Sequence, residues 1–378
     1  MFSSQAFGLA IAVIAMSWIP PSGTSAIEND DGLARIRSDQ WHLNFLGISA
    51  AHQISQGQGV VVAVPDTGVD PHPDLRDNLL QGKDVIAGGN GSGTRDSNSH
   101  GTGMAGLIAA HGRGGNLGAL GVAPRAKILP ILDTPASGLG QPDDLAASIE
   151  YAVTQHVDII SISAASIPTS RLQTAITNAL KADIVVVAAV GNSPRESAVS
   201  YPASEQGVIA VGGVDARGFH AESSVTGTEV SVVAPAVDIY STGISGRYRR
   251  STGTSDATAI VAGAAALIRS KYPDLPAAEV AHRLTATAVD KGPPGRDDEY
   301  GYGVIDLVAA LTADVPPIGF ESTGVTAPAS TATAPGGGDG GSTARGLATL
   351  GVLLAAGGGY LVWRRRRRAG DPPPRISR

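Results

Sequence analysis

Three short stretches of this 378-residue chain hold the side chains that nucleophilic catalysis combines: a carboxylate, an imidazole and a hydroxyl. They are Pro65-Asp66-Thr67-Gly68-Val69-Asp70, Asn98-Ser99-His100-Gly101-Thr102-Gly103-Met104-Ala105-Gly106 and Gly253-Thr254-Ser255-Asp256-Ala257. Each has a plainer reading when taken by itself. A carboxylate before a glycine turn is common, a lone histidine is as often structural as reactive, and a serine that opens a helix is usually a cap. Their placement is what makes them candidates. In open α/β sheets reactive groups gather where strands end and loops meet, and all three stretches fall at such points.

The elements that must position them are written in alternating patterns. Short β-branched runs at residues 60–64, 128–132, 159–163, 184–188 and 208–211 read as strands, nearly continuous in apolar character as strands covered on both faces are. Between them, residues 144–155 and 171–181 space their apolar side chains by three and four, as amphipathic helices do. An Ala-rich stretch over 257–269 predicts a buried helix ending before Tyr272-Pro273, and a further helix is expected to start at Pro276. Strands alternating with helices predict an α/β class with a mainly parallel sheet flanked by helices.

In the order Asp, His, Ser, the three stretches resemble the subtilisin-like serine peptidase family. The likeness continues in His72-Pro73-Asp74-Leu75, in Ala188-Ala189-Val190-Gly191-Asn192, in Ala234-Pro235 with Ile239-Tyr240-Ser241-Thr242, and in Gly301-Tyr302-Gly303 through Asp306. The resemblance implies a three-layer fold and a role for each residue. Ser255 would attack the peptide carbonyl, His100 would accept and return its proton, and Asp66 would hold the imidazole. Asn192, with the Ser255 amide, would form the oxyanion hole. Ser163, Ala164 and Ala165 would pair with the substrate backbone and, with Ala188, Ala189 and Gly191, border the specificity pocket. The family usually has proline four residues after the serine; here the residue is Ala259, which a helix start accommodates equally well. No cofactor is implied. Asp70, Asp74, Asp77, Asp96 and Asp297-Asp298 lack the spacing of a calcium loop and read as solvated surface rather than a metal site.

Composition bounds the rest. The chain has no cysteine, which excludes disulfides, zinc-cysteine sites and a cysteine nucleophile. Residues 1–26 read as a secretory signal peptide with Thr24-Ser25-Ala26 at its end, although no Lys or Arg precedes the apolar run. Residues 27–50 read as an arm on the domain, pinned by Trp41 and Leu43, and 51–313 as the peptidase domain. Residues 314–345 form a Pro/Gly/Ser/Thr-rich linker, 346–363 an uncharged segment long enough to span a membrane, and 364–378 a basic tail expected on the cytoplasmic side. A net charge of −6 argues against nucleic acid as a partner. This layout, with the Gln40-Trp41-His42-Leu43 arm, resembles the mycosins, membrane-anchored subtilases associated with type VII secretion. That implies an extracellular catalytic domain that processes secretion substrates or components, or a scaffold subunit stabilising the secretion membrane complex.

Overall fold

The structure, a computed structural model, describes residues 30–319 apart from 87, 88 and 90. The segments read as signal peptide and membrane span lie outside the described residues. Among those described, no helix is long and apolar enough to cross a membrane.

Three short helices lead, α1 (Asp30–Asp39), α2 (Trp41–Phe45) and α3 (Ile48–His52). Strand β1 (Val61–Asp66) follows, then β2 (Lys83–Asp84), α4 (His100–Ala109), β3 (Lys127–Leu132), α5 (Pro142–Thr154), β4 (Ile159–Ile162), α6 (Ser170–Lys181), β5 (Val185–Ala189) and β6 (Ile209–Val214). Strand β7 (Val232–Pro235) precedes a hairpin of β8 (Ile239–Thr242) and β9 (Tyr248–Ser251), and α7 (Thr254–Lys271), α8 (Ala277–Ala286) and α9 (Leu307–Thr312) are the last elements among the described residues.

Strands β1 to β7 form one parallel sheet in the order β2-β3-β1-β4-β5-β6-β7. The side-chain period of two divides it into two packed faces. Val62 and Val64 of β1, Val185 and Val187 of β5 and Ile209 and Val211 of β6 pack with α4, α7 and α8. Ala63, Val186, Ala188 and Ala210 point the other way, onto Leu145 and Ile149 of α5 and Leu172 and Ile176 of α6. This is the parallel sheet flanked by helices that the alternating runs predict, in the three layers that the resemblance implies, with strand and helix ends displaced by at most three residues.

Two features bear on function. First, β3 lies on one side of β1 and β4 on the other, so the connections diverge at β1 and leave a crevice at the carboxyl ends of β1 and β4, where such sheets bind ligands. Second, α7 is buried along nearly its whole length, from Thr254 to Arg269. Its small residues permit this. A methyl group on Gly263 would come within 2.6 Å of Val122 Cβ, so glycine lets the helix and the 119–126 loop close on each other.

The leading arm belongs to the same core. Leu43, Leu46, Ile48 and Ala51 join the α4/α7 layer, while Leu33 and Ile36 pack with Ala110, Ala119 and Tyr248. Trp41 Nε1 donates to Val237 O at 3.0 Å, and the buried Gln40 amide receives Leu120 N–H at 2.8 Å and donates to Leu120 O and Tyr240 O.

Two of the acidic residues expected to be solvated are not. Asp74 is fully buried and accepts hydrogen bonds from Arg113 Nε, Tyr248 Oη and Ala119 N, all at 2.7 Å. Asp96, also buried, accepts from Thr67 Oγ1, Thr102 Oγ1 and the amides of Asn98, Ser99 and Thr102. Both are buried because neighbouring donors replace their water shell.

Candidate active site

Asp66 is the last residue of β1 and 5% exposed, so it emerges from the sheet at the crevice. His100 is the first residue of α4. The two side chains meet: His100 Nδ1 lies 2.8 Å from both Oδ1 and Oδ2 of Asp66. A carboxylate only accepts, so this contact puts the imidazole proton on Nδ1 and leaves Nε2 with its lone pair.

The turn between β1 and α4 explains the motif residues around this pair. Thr67 N donates to Asp66 Oδ1 at 2.7 Å, Thr67 Oγ1 donates to Asp96, and Gly101 N donates back to Thr67 Oγ1 at 3.0 Å. Asp96 thereby ties the end of β1 to the start of α4. The glycines of the His100 stretch mark three close approaches. A side chain at Gly101 would run into Gly68 O, one at Gly103 would meet Arg249, and one at Gly106 would run into Thr242 of the hairpin.

Ser255 is the second residue of α7, and Gly253 rather than Ser255 is the N-cap. Its amide falls in the first turn, where helical N–H groups have no partner carbonyl and the dipole favours negative charge. Its hydroxyl donates to Ser163 O at 3.1 Å and not to His100. In return Ser163 Oγ donates to Ser255 O at 3.1 Å. Ser163 follows the last residue of β4, so the end of β4 and the start of α7 are joined directly.

Asn192 follows β5 and the positive-φ residue Gly191 (φ 111°). Its Oδ1 accepts from Thr254 N at 2.9 Å and Thr254 Oγ1 at 3.3 Å. The backbone N–H fixes the amide's orientation, since only the oxygen can face it, and Nδ2 is left as the outward donor. Asn192 N in turn donates to Glu196 Oε2 at 2.7 Å. Ala188 and Ala189 are buried, Ser163 is buried, and Ala165 is exposed at the mouth beside half-buried Ala164.

The geometry therefore gathers an oriented imidazole, a hydroxyl on a helix N-terminus and an amide donor around one crevice, the parts that acyl transfer requires. Among the described residues no group of three or more carboxylate or imidazole side chains is arranged to hold a metal ion.

Comparison with known proteins decides the family. A model described as "Subtilase family" matches residues 57–303. The chain belongs to the subtilase family. It is a serine peptidase, 37% identical over 282 residues to the thermostable alkaline protease of Halalkalibacterium halodurans, an alignment covering 74% of this chain and 75% of that one. It is 40% identical over 260 residues to subtilisin DY of Bacillus licheniformis, covering 68% and 92% of the two chains. Among solved structures it resembles MycP1 from Mycobacterium smegmatis (TM-score 0.66, 30% identity, 73% of this chain and 85% of that chain). It also resembles the MycP3 protease from the type VII (ESX-3) secretion system (TM-score 0.64, 33% identity, 72% and 88%). Its structural neighbours are thus mycosins.

Four neighbours of the crevice in this subtilase went unread in the sequence. Thr67 and Thr254 are small hydroxyl residues whose only signal is adjacency to Asp66 and Ser255. Asp133 follows β3, and its amide donates to Asp66 O at 3.0 Å. Its buried carboxyl accepts from Ser148 Oγ at 3.0 Å and Thr134 Oγ1 at 2.9 Å. Burial, reinforced by the nearby Asp66 charge, pushes its pKa up to about 7. Asp256, next to the serine, is also buried, and burial raises its pKa as well.

Proposed function

We propose that Asp66, His100 and Ser255 are the catalytic triad of this subtilase and that it acts as an endopeptidase anchored to the cell membrane by residues 346–363. In this reading the catalytic domain is extracellular and the basic tail cytoplasmic. The observation that carries it is the 2.8 Å contact between His100 Nδ1 and Asp66, which presents Nε2 as the base. Ser255 Oγ turns from Ser163 O toward that lone pair, loses its proton to Nε2 and bonds to the scissile carbonyl carbon. The carbonyl oxygen becomes an oxyanion held by Asn192 Nδ2 and the Ser255 amide. Protonated His100 then gives the proton to the leaving amine as the C–N bond breaks, and water repeats the sequence on the acyl-enzyme. Asp66 stabilises the transient imidazolium throughout. The released Ser163 carbonyl accepts a substrate N–H as Ala164 and Ala165 pair with the incoming chain.

The substrates in this reading are secreted clients or components of a type VII secretion system. Support comes from the solved relatives, one of which is described as a serine protease that is an essential component of the type VII (ESX-1) secretion system, with 32% identity and a TM-score of 0.64. That description equally supports a scaffold role in which proteolysis is secondary.

Labelling of the detergent-solubilised full chain with a fluorophosphonate tests the triad. Incorporation that disappears in Ser255→Ala and in His100→Ala is expected. A folded wild-type chain that takes no label sinks the triad and leaves the scaffold role. Secretion in cells carrying Ser255→Ala then separates the two: impaired secretion supports processing, and intact secretion supports scaffolding.

A further inference from the structure

The carboxylate of Asp96, a residue 8% exposed, grips the chain neighbours of both Asp66 and His100. Its Oδ1 accepts from Thr67 Oγ1 at 3.0 Å and from the amides of Asn98 at 2.8 Å and Ser99 at 2.9 Å. Its Oδ2 accepts from Thr102 Oγ1 at 2.6 Å and Thr102 N at 3.0 Å. Thr67 follows Asp66, Ser99 precedes His100, and Thr102 lies in the first turn of α4. The same carboxylate serves as the cap that α4 lacks at its own N-cap. Ser99 holds that position with a φ of 85° and makes no side-chain cap bond. A non-glycine residue keeps such a conformation only where its surroundings hold it. Here Asp96 holds Ser99 N, and Ile244 N donates to Ser99 Oγ at 3.2 Å. The next two amides are also satisfied by side chains: His100 N by Asn98 Oδ1 at 3.2 Å and Gly101 N by Thr67 Oγ1 at 3.0 Å.

We infer that Asp96, acting through Thr67, is a positioning residue for the peptidase reaction: it fastens the start of α4 to the end of β1 and so fixes where His100 meets Asp66. The inference rests on the reading of His100 as the general base. The two segments approach closely, since a methyl group on Gly101 would stand 2.1 Å from Gly68 O, and the glycines that permit this supply no side chains to set the register. Hydrogen bonds set it instead. Thr67 Oγ1 donates to Asp96 while accepting from Gly101 N, and Thr102 Oγ1 donates to Asp96 while accepting from Asp70 N at 2.9 Å. Both hydroxyls thus relay the grip of Asp96 between the β1 turn and the helix that carries the imidazole. An anion at the N-terminus of α4 is further favoured by the helix dipole. Catalysis is steep in such geometry, and a misplacement of about 1 Å can cost roughly 100-fold in rate.

The test compares Asp96→Asn, Thr67→Val and Thr67→Ser with wild type on the full chain, with Gln40→Ala, a destabilising change in the leading arm, as the control for lost stability. Each chain is assayed below its own unfolding transition, and the endpoint of fluorophosphonate labelling counts the folded sites. In Asp96→Asn, whichever oxygen becomes an NH2 group, the donors facing it lose their acceptor. For Asp96→Asn and Thr67→Val, kcat per labelled site on a denatured protein substrate is expected to fall roughly 10 to 100-fold, with KM within about twofold of wild type. Thr67→Ser keeps the hydroxyl and holds kcat within about threefold of wild type, and Gln40→Ala lowers the unfolding midpoint without changing kcat per site. The double variant Thr67→Val/Asp96→Asn loses less than the product of the two single losses, because both act through one clamp. Wild-type kcat per site in Asp96→Asn and Thr67→Val overturns the inference, as does a loss in Thr67→Ser or Gln40→Ala as large as in Thr67→Val. Any of these leaves the triad standing while the wild type takes label; a wild-type chain that takes none overturns both. Where Asp96→Asn does not fold, the contrast between Thr67→Val and Thr67→Ser decides.

Discussion

Ser163 and Ser255 exchange hydrogen bonds, each hydroxyl donating to the other's carbonyl at 3.1 Å. The pair fastens the end of β4 to the first turn of α7 and turns the Ser255 hydroxyl to the Ser163 carbonyl. Ser163→Ala removes one donor and keeps the carbonyl that Ser255 faces. It is expected to cost about 1 kcal/mol of stability, read from the urea midpoint, while fluorophosphonate labelling persists. Labelling abolished in a stable Ser163→Ala chain would show that the Ser163 hydroxyl itself takes part in the chemistry.

Asn192→Ala deletes the Nδ2 donor together with the acceptor for Thr254 N. Turnover of a denatured protein substrate is expected to fall by roughly 100 to 1,000-fold with KM little changed, the magnitude typical of an oxyanion donor deleted from subtilisin. An unchanged kcat would remove Asn192 from the oxyanion hole.

Burial holds His42 neutral in the folded chain down to about pH 3, against an ordinary value of 6.5. Between those values the unfolded chain binds the extra proton, so this residue makes stability fall as the pH drops. Burial shifts His52, His72 and His220 in the same direction. The variant His42→Leu should lose less stability than wild type between pH 6.5 and 4.5, by on the order of 2 kcal/mol in denaturant titrations. Parallel pH profiles for the two chains would show that His42 does not carry this proton linkage.

Asp133 acts with the opposite sign. Its folded-state pKa of about 7 lies above the ordinary 3.8, so the stability it contributes is present at low pH and is lost as the pH rises through 7. The amide of Asp133→Asn carries no charge to bury, and this variant should gain stability relative to wild type at pH 8 but not at pH 4. Equal differences at the two pH values would mean that folding leaves the proton affinity of Asp133 unchanged. Because Asp133 and His42 oppose each other over much of one window, each effect is read as the difference between variant and wild type.

Gln40 makes its three hydrogen bonds from a buried position. Gln40→Ala leaves Leu120 N–H and two carbonyls without that partner and should cost about 1 to 3 kcal/mol. Limited proteolysis would then open the arm before the sheet. Simultaneous cleavage of arm and sheet would mean that the arm has no separate opening reaction.

The parallel sheet was readable because five of its strands are covered on both faces and therefore spell apolar runs. Strands β2, β7, β8 and β9 are not among the runs the sequence marks as strands. Lys83-Asp84 is too short to show a pattern, and Tyr248-Arg249-Arg250-Ser251 carries two arginines, one of them buried among groups that only the fold assembles. The leading helices α1 to α3 leave no pattern in the sequence beyond an arm over 27–50, since they are short and their stability comes from packing. At the site, residue types and order suggested Asp66, His100, Ser255 and Asn192, but neither the direction of the Ser255 hydroxyl nor the orientation of the Asn192 amide is written locally. Both depend on partners from other elements. Burial of Asp74, Asp96, Asp133 and Asp256 was equally illegible, because a carboxylate looks solvated until its donors are brought to it.

The long buried helix α7 has a consequence for the timing of activity. It packs against β4, β5, β6 and β7, so it can seat only after those strands have been made and paired. Asp66 and His100 come from early parts of the chain, whereas the serine waits for that late docking step. In the proposed triad, an incomplete chain thus holds the base and carboxylate before the nucleophile is seated, and cutting by it waits until the domain is nearly whole.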